Sequence, residues 1–411
     1  MTSQTTFFEE LRNNKLAGVA YKNLILKKKI LGYFANTGNA TLNDLSRVLK
    51  ISTPKINEII TELIEAELVK DYGKIGSNVG RRPNLYGLSP NSAFFLGAEV
   101  KTNYINIGLI NFQKDLIQIS EKIPYKLDNT VASLEELCRI INSFIEDLSI
   151  ESQKILGLGI NLSGRINYKT GYSYSYFYFN ETPLSQIIEE KTGIQTYLEN
   201  DSRAMAYGEF SDGSIKDEKN VLFVNIDHGI GLGMMIGGKL YYGKSGFSGE
   251  FGHIPLFNNE ILCHCGKKGC LETEASGNTL VKKFRQCLKD GSSSIVTRSG
   301  RNIDDIRLED VITAAKKDDT LAIELIGDLG DKLGRGIALL INIFNPELII
   351  LGGSLSTTGD YLFLPIKSAI NKYSLSILNN DTDVRLSVLG EKAGVVGACL
   401  LVRNKLLGIS L

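Results

Sequence analysis

The stretch Cys263-His264-Cys265-Gly266-Lys267-Lys268-Gly269-Cys270, with Gly252-His253 ten residues before it, constrains this chain more than any other. Three thiols and one imidazole at this spacing predict a closed tetrahedral zinc site on His253, Cys263, Cys265 and Cys270. Gly266 and Gly269 let the short loop turn tightly enough for the cysteines to converge on one ion. Four protein ligands leave no open position for water, so the expected zinc is structural, one per chain. Glu250 and Glu272 flank the motif. A metal here would fix the positions of acceptors suited to a polyhydroxylated ligand.

At 411 residues the chain is too long for one small core, and two or three domains are expected. Apolar residues make up 43% and charged residues 22%, the balance of a soluble globular protein. Net charge is zero, which gives no global attraction to nucleic acid or membrane. The cysteines outside the motif, Cys138, Cys287 and Cys399, are dispersed, which suits a reducing compartment better than a disulfide framework. The N-terminus lacks an apolar signal core and no 18-residue apolar run occurs, so a cytoplasmic protein without a membrane partner is expected.

The charge is unevenly spread. Between Tyr21 and Pro90 stand eleven lysines and arginines against six acids, so this segment is basic and the remainder acidic. That asymmetry is the one to look for in a nucleic-acid-binding protein. Leu24, Ile25, Ile30, Leu31 and Phe34 have helical spacing that ends near Thr37-Gly38-Asn39. Thr41 is placed to cap a second helix, and Thr53-Pro54 to start a third that buries Ile56, Ile59, Ile60, Leu63 and Ile64. Residues 68–72 and 84–88 read as two strands with a Gly/Ser/Arg tip between them. The segment 21–90 is therefore predicted to be a winged helix-turn-helix behind an N-terminal extension, 1–20. Its third helix would face a major groove with Ser52, Thr53, Lys55 and Asn57. Arg81 and Arg82 in the wing would enter a minor groove or clamp phosphates of double-stranded operator DNA.

From residue 91 onward the texture is α/β. Strand-like runs at 94–100, 104–110 and 155–160 precede a second round at 221–226, 231–236 and 347–351. Helical segments at 134–148 and 323–344 alternate with them. Two rounds of this alternation predict a body of two similar lobes with a cleft between them. The lobes are expected at about 91–205 with a C-terminal helix, 392–411, and about 206–391.

Three features together resemble the ROK family of bacterial repressors, open reading frames and sugar kinases. They are the metal motif, the segment Gly246-Phe247-Ser248-Gly249-Glu250-Phe251-Gly252-His253, and the glycine-rich Gly229-Ile230-Gly231-Leu232-Gly233. The resemblance runs in motif order to the C-terminus and implies an actin-like, sugar-kinase-type body. The winged module in front of it is similar to the repressor branch that regulates xylose, N-acetylglucosamine and glucose operons. Carried over position by position, the sugar-contacting residues would be Gly164, Arg165, Asn200, Asp201, Glu250, His253 and Glu272. His253 would then serve both the zinc and the sugar.

Asp201 matches the family's catalytic base, but phosphoryl transfer also depends on holding the phosphates. The first phosphate loop of the kinases, Asp-x-Gly-Gly-Thr, is here Glu99-Val100-Lys101-Thr102-Asn103, and the second, Gly-Thr-Gly, is Asp227-His228-Gly229. The resemblance therefore implies a non-enzymatic, sugar-responsive repressor: a homodimer or homotetramer with a sugar or phosphosugar effector. A bifunctional ATP-dependent sugar kinase that also binds DNA is the rival, and a body answering to a partner protein is a third reading. The run Tyr172, Tyr174, Tyr176, Phe177, Tyr178 is expected to alternate as a strand, part of it core and part available to stack on a sugar.

Overall fold

Three helices, Gly18–Thr37, Leu42–Leu49 and Thr53–Glu65, open the main described part of the computed structural model, which covers residues 7, 18–74, 83–179, 181–211, 215, 217–298 and 300–409. Local chemistry sets their ends. Thr41 Oγ1 accepts the Asp44 N–H at 3.2 Å while the Asp44 carboxylate takes the Thr41 N–H at 3.3 Å, a reciprocal cap. Lys50 then turns left-handed, with φ 56°, and Ser46 Oγ donates to the Ile51 carbonyl at 2.6 Å. Pro54 lies in the first turn of the third helix, where a missing N–H costs nothing. Ile56, Ile59, Ile60 and Leu63 face inward, while Ile64 is exposed.

The wing strands Val69–Lys74 and Asn84–Leu88 pair antiparallel, and Ala40 exchanges both backbone bonds with Tyr86 at 2.9 Å. The wing tip with Arg81 and Arg82 lies outside the described residues.

The chain divides into two compact units, one of Met1–Leu162, Lys169–Leu198 and Ala398–Leu411, the other of Ser163–Tyr168 and Glu199–Gly397. In the first unit the sheet order is Leu116–Pro124, Tyr104–Asn111, Phe94–Val100, Ile155–Leu162, Thr196–Asn200. The winged module is seated on this unit at two places. Gln113 Nε2 donates to Tyr72 Oη and to the Leu88 carbonyl, both at 2.8 Å. Arg403, on the C-terminal helix Ala393–Leu407, is 1% exposed. Its Nε donates to the Phe112 carbonyl at 2.9 Å and its Nη2 to the Ala35 carbonyl, in the first helix, at 3.5 Å. The connector is short and fixed, with the Pro90 carbonyl accepting the Phe112 N–H at 3.1 Å.

The second unit repeats the strand order: Lys239–Leu240, Ile230–Ile236, Val221–Ile226, Leu348–Gly352, Asp383–Leu386. In both sheets the first strand of the repeat pairs antiparallel on one side and parallel on the other. The helix Thr320–Phe344 buries Ile326, Leu329, Leu333, Ile337, Leu340 and Ile341 in this unit's core. Among the described residues no helix is long and apolar enough to cross a membrane.

The glycine-rich run proves to be mostly strand. The helix Asp201–Ser211 lies directly on it: a Cβ at Gly233 would stand 2.4 Å from Ala206 Cβ and from the Ser202 carbonyl oxygen. Alternate glycines thus bare one face of the strand for helix backbone. Gly233→Ala is expected to destabilise the protein by about 1–3 kcal/mol through overpacking, measured by urea denaturation. An unchanged midpoint would refute the close approach.

Candidate functional site

His253, Cys263, Cys265 and Cys270 converge, with one ligating atom of each within 4.8 Å of the others. Cys265 Sγ and Cys270 Sγ are 3.7 Å apart, and Cys263 Sγ is 3.5 Å from His253 Nδ1. With Zn–S of about 2.3 Å and Zn–N of about 2.0–2.1 Å, a zinc tetrahedron has edges of roughly 3.8 Å between sulfurs and about 3.5 Å from sulfur to nitrogen. The donor set fits the ion. A disulfide needs about 2.05 Å, so the thiols are free. Burial pushes the Cys270 thiol up to about 12, so holding that group as a thiolate needs a cation beside it. The cluster is built on a tight loop: the Cys263 N–H donates to the Lys267 carbonyl at 2.8 Å and the Gly266 N–H to the Cys263 carbonyl at 2.9 Å.

The seven positions Gly164, Arg165, Asn200, Asp201, Glu250, His253 and Glu272 all lie in the second unit. Asp201 opens its helix buried, and both carboxylate oxygens accept: Ser163 Oγ at 2.7 Å on one, the Ser202 N–H at 2.7 Å and Asn200 Nδ2 at 3.0 Å on the other. Asn200 Oδ1 takes the Arg203 N–H at 3.1 Å, while Nδ2 also reaches the Gly164 carbonyl at 3.1 Å. The side-chain amide is thereby oriented. His253 turns Nδ1 toward the sulfurs and Nε2 toward Glu250, whose Oε2 is 3.9 Å away and also 3.8 Å from Arg165. Gly249, at φ 94°, passes so close to Leu232 that a Cβ would stand 2.2 Å from its carbonyl oxygen, which seats Glu250. Glu272 Oε2 accepts the Ile230 N–H at 3.1 Å.

Behind these residues lies a network that sequence reasoning missed. Glu199 Oε1 accepts from Arg203 Nε at 2.7 Å and from the Asn200 N–H at 2.8 Å, and Glu199 Oε2 accepts from Tyr242 Oη at 3.0 Å. Tyr242 stacks on Tyr168 at 3.8 Å between ring centroids, with the Arg203 guanidinium over its ring. Burial pushes the Tyr242 phenol well above its usual range, so it stays a donor. The only local hint is the spacing of four between Glu199, at the end of the strand Thr196–Asn200, and Arg203, in the helix that follows.

The two stretches that stand where kinases carry phosphate loops are satisfied from within. Glu99 is buried, with Asn106 Nδ2 at 2.9 Å and Lys101 Nζ at 3.1 Å. Asp227 Oδ1 accepts the His228 N–H and Ser354 Oγ, each at 2.9 Å. A carboxylate thus already holds the backbone donor that a phosphate would seek.

On the third helix of the winged module Ser52 and Asn57 are exposed and Thr53 is half-buried. Lys55 is half-buried too, with its ammonium 2.6 Å from Glu58. The aromatic run departs from the expected alternation. Only Tyr172–Ser173 is strand. Phe177 is buried at φ 58°, while Tyr174 and Tyr178 are exposed and Tyr176 is half-buried. A residue turned left-handed breaks the period of two that alternation needs.

Compared with known families, residues 97–405 match the ROK family and residues 24–70 a winged helix-turn-helix DNA-binding family. The chain is 29% identical over 371 residues to the xylose repressor of Caldicellulosiruptor bescii, spanning 88% of this chain and 91% of that protein. A solved ROK family transcriptional regulator, described as a homolog of the E. coli MLC protein, superposes with a TM-score of 0.75 at 27% identity, over 93% of this chain and 98% of its own. A ROK family glucokinase from Streptomyces griseus, solved with glucose and AMPPNP, gives a TM-score of 0.67 at 26% identity, over 75% of this chain and 99% of its own.

Proposed function

Because the chain belongs to the ROK family and carries a winged helix-turn-helix ahead of the family's actin-like body, we propose that it is a sugar-responsive transcriptional repressor acting in the cytoplasm. What supports the reading is that Glu250 lies 3.9 Å from His253 of the His/Cys cluster and 3.8 Å from Arg165, whose neighbour Gly164 accepts from Asn200, while Glu99 and Asp227 stand in the two stretches compared with phosphate loops. Asn200, Asp201, Glu250, His253 and Glu272, with Gly164 and Arg165, would hold the sugar. Zinc on His253, Cys263, Cys265 and Cys270 would keep His253 and the loop before Glu272 in place, a structural task with no step of its own. The xylose repressor relative and the glucose-bound glucokinase make aldoses such as D-xylose and D-glucose the first effectors to try.

Ser52, Thr53, Lys55 and Asn57, with Arg81 and Arg82 of the wing, would read and clamp operator DNA. One such module reads a half-site, so a homodimer or homotetramer on a two-fold-related operator follows. The decisive measurement is operator affinity with and without each aldose, in wild type and in Glu250→Ala. The effector is expected to change affinity by roughly 5–150-fold in wild type and far less in the variant. Sugar that binds tightly yet leaves operator affinity unchanged would favour a partner protein as effector.

The same preparations are expected to release no ADP from Mg-ATP with any of these sugars. Asp227 competes for the loop donors and repels phosphate, and Lys101 is neutralised by Glu99. Turnover abolished by Asp201→Asn would instead establish the bifunctional kinase.

A further inference from the structure

His264 is the one imidazole of the metal loop with no place in the zinc tetrahedron. Its side chain is 72% exposed, yet its Nδ1 lies 3.1 Å from Glu272 Oε1. Its ring meets that of His253 edge-on, with centroids 4.9 Å apart. Glu272 uses its other oxygen on the Ile230 N–H, so the carboxylate reaches any ligand with His264 already bound to it.

The distances narrow the choice further. A ring nitrogen of His253, a ring nitrogen of His264 and a carboxylate oxygen of Glu272 all lie within 4.8 Å of one another. Three atoms so spaced share a point no farther than about 2.8 Å from each, the length of a hydrogen bond to a hydroxyl. A hydroxyl placed at that point would meet His253, Glu272 and His264 together. With Nδ1 3.1 Å from the carboxylate, Nε2 is the ring nitrogen left to meet a hydroxyl. The same three atoms have the spacing of a second cation site. But Nδ1 of His253 faces the sulfurs, and an ion on its other nitrogen would require a doubly deprotonated ring.

We propose that His264 is a ligand-contacting, specificity-determining residue, which with His253 and Glu272 grips one hydroxyl of the effector sugar. The metal loop thus anchors two imidazoles at the site. This rests on the reading of the site as a sugar site, and the test separates the two.

The experiment titrates D-xylose, D-glucose and their monodeoxy analogues into full-length wild type, His264→Ala and His264→Gln, with zinc per chain measured on each preparation. His264→Ala is expected to keep its zinc and bind the preferred sugar roughly 5- to 50-fold more weakly. His264→Gln, whose amide supplies an acceptor, should recover part of that loss. One deoxy analogue should bind wild type poorly and lose little more in His264→Ala, identifying the hydroxyl that His264 holds. Equal affinities in wild type and variants would overturn the proposal. So would a loss spread evenly over all analogues, the mark of a merely structural residue. A wild type that binds no sugar of the panel would overturn the sugar-site reading, and the role of His264 with it.

Discussion

Replacing Cys270 by serine is expected to yield protein with well under one zinc per chain and a sugar affinity reduced by at least about 10–100-fold. Cys270 is fully buried and its sulfur lies 3.7 Å from that of Cys265. A serine hydroxyl is a poor zinc ligand, and a proton rather than a cation would then satisfy the remaining thiols. The consequence reaches the ligand because the chain passes directly from Cys270 through buried Leu271 to Glu272. The Leu271 N–H donates to the Ile254 carbonyl at 2.9 Å, next to His253. Losing the ion frees both ends of that connection. Elemental analysis with sugar titration checks it: a zinc-free variant that binds sugar as wild type does would refute the coupling.

Arg403→Met is expected to cost about 2–5 kcal/mol, measured as a shift in the urea midpoint. Methionine preserves much of the volume but leaves the Phe112 and Ala35 carbonyls without the guanidinium. Each charge-assisted bond lost to a buried carbonyl costs about 1–3 kcal/mol. Because one of the two lies in the first helix of the winged module, operator affinity should fall along with stability. An unchanged midpoint would show that the seat of the module lies elsewhere.

What could be read from the sequence was what is encoded locally. The helix-turn-helix was legible because its boundaries are set by neighbours in the chain, Thr41 with Asp44 and Pro54 at a helix start. The His/Cys cluster was legible for a similar reason, since three of its four residues fall within eight positions. Gly164, Asn200 and Glu250 come from segments dozens of residues apart, and only the family resemblance singled them out. The Glu199–Arg203–Tyr242–Tyr168 network shows no more than the spacing of its first pair, because a tyrosine 43 residues away supplies its hydroxyl. Arg403 defeats sequence reasoning for a different reason. An arginine in a helix is ordinarily solvated, and only the tertiary fold supplies backbone carbonyls deep enough to bury one. The strand at 231–236 was legible as an apolar run, but the reason for its glycines, a helix laid across it, was not.

The contact between Arg403 and Ala35 joins residues 368 positions apart. A ribosome makes this protein from the winged end, so the DNA-reading helices are complete while the residues that will seat them are still untranslated. Until the last helix emerges, those helices have their own small core but nothing behind Ala35 to hold them. A chain cut short after the first sheet but before Arg403 would keep only the Gln113 seat of its reading head. Premature termination or proteolysis at the far end should therefore disarm the operator-binding end, and the cell's supply of competent repressor becomes a count of finished chains.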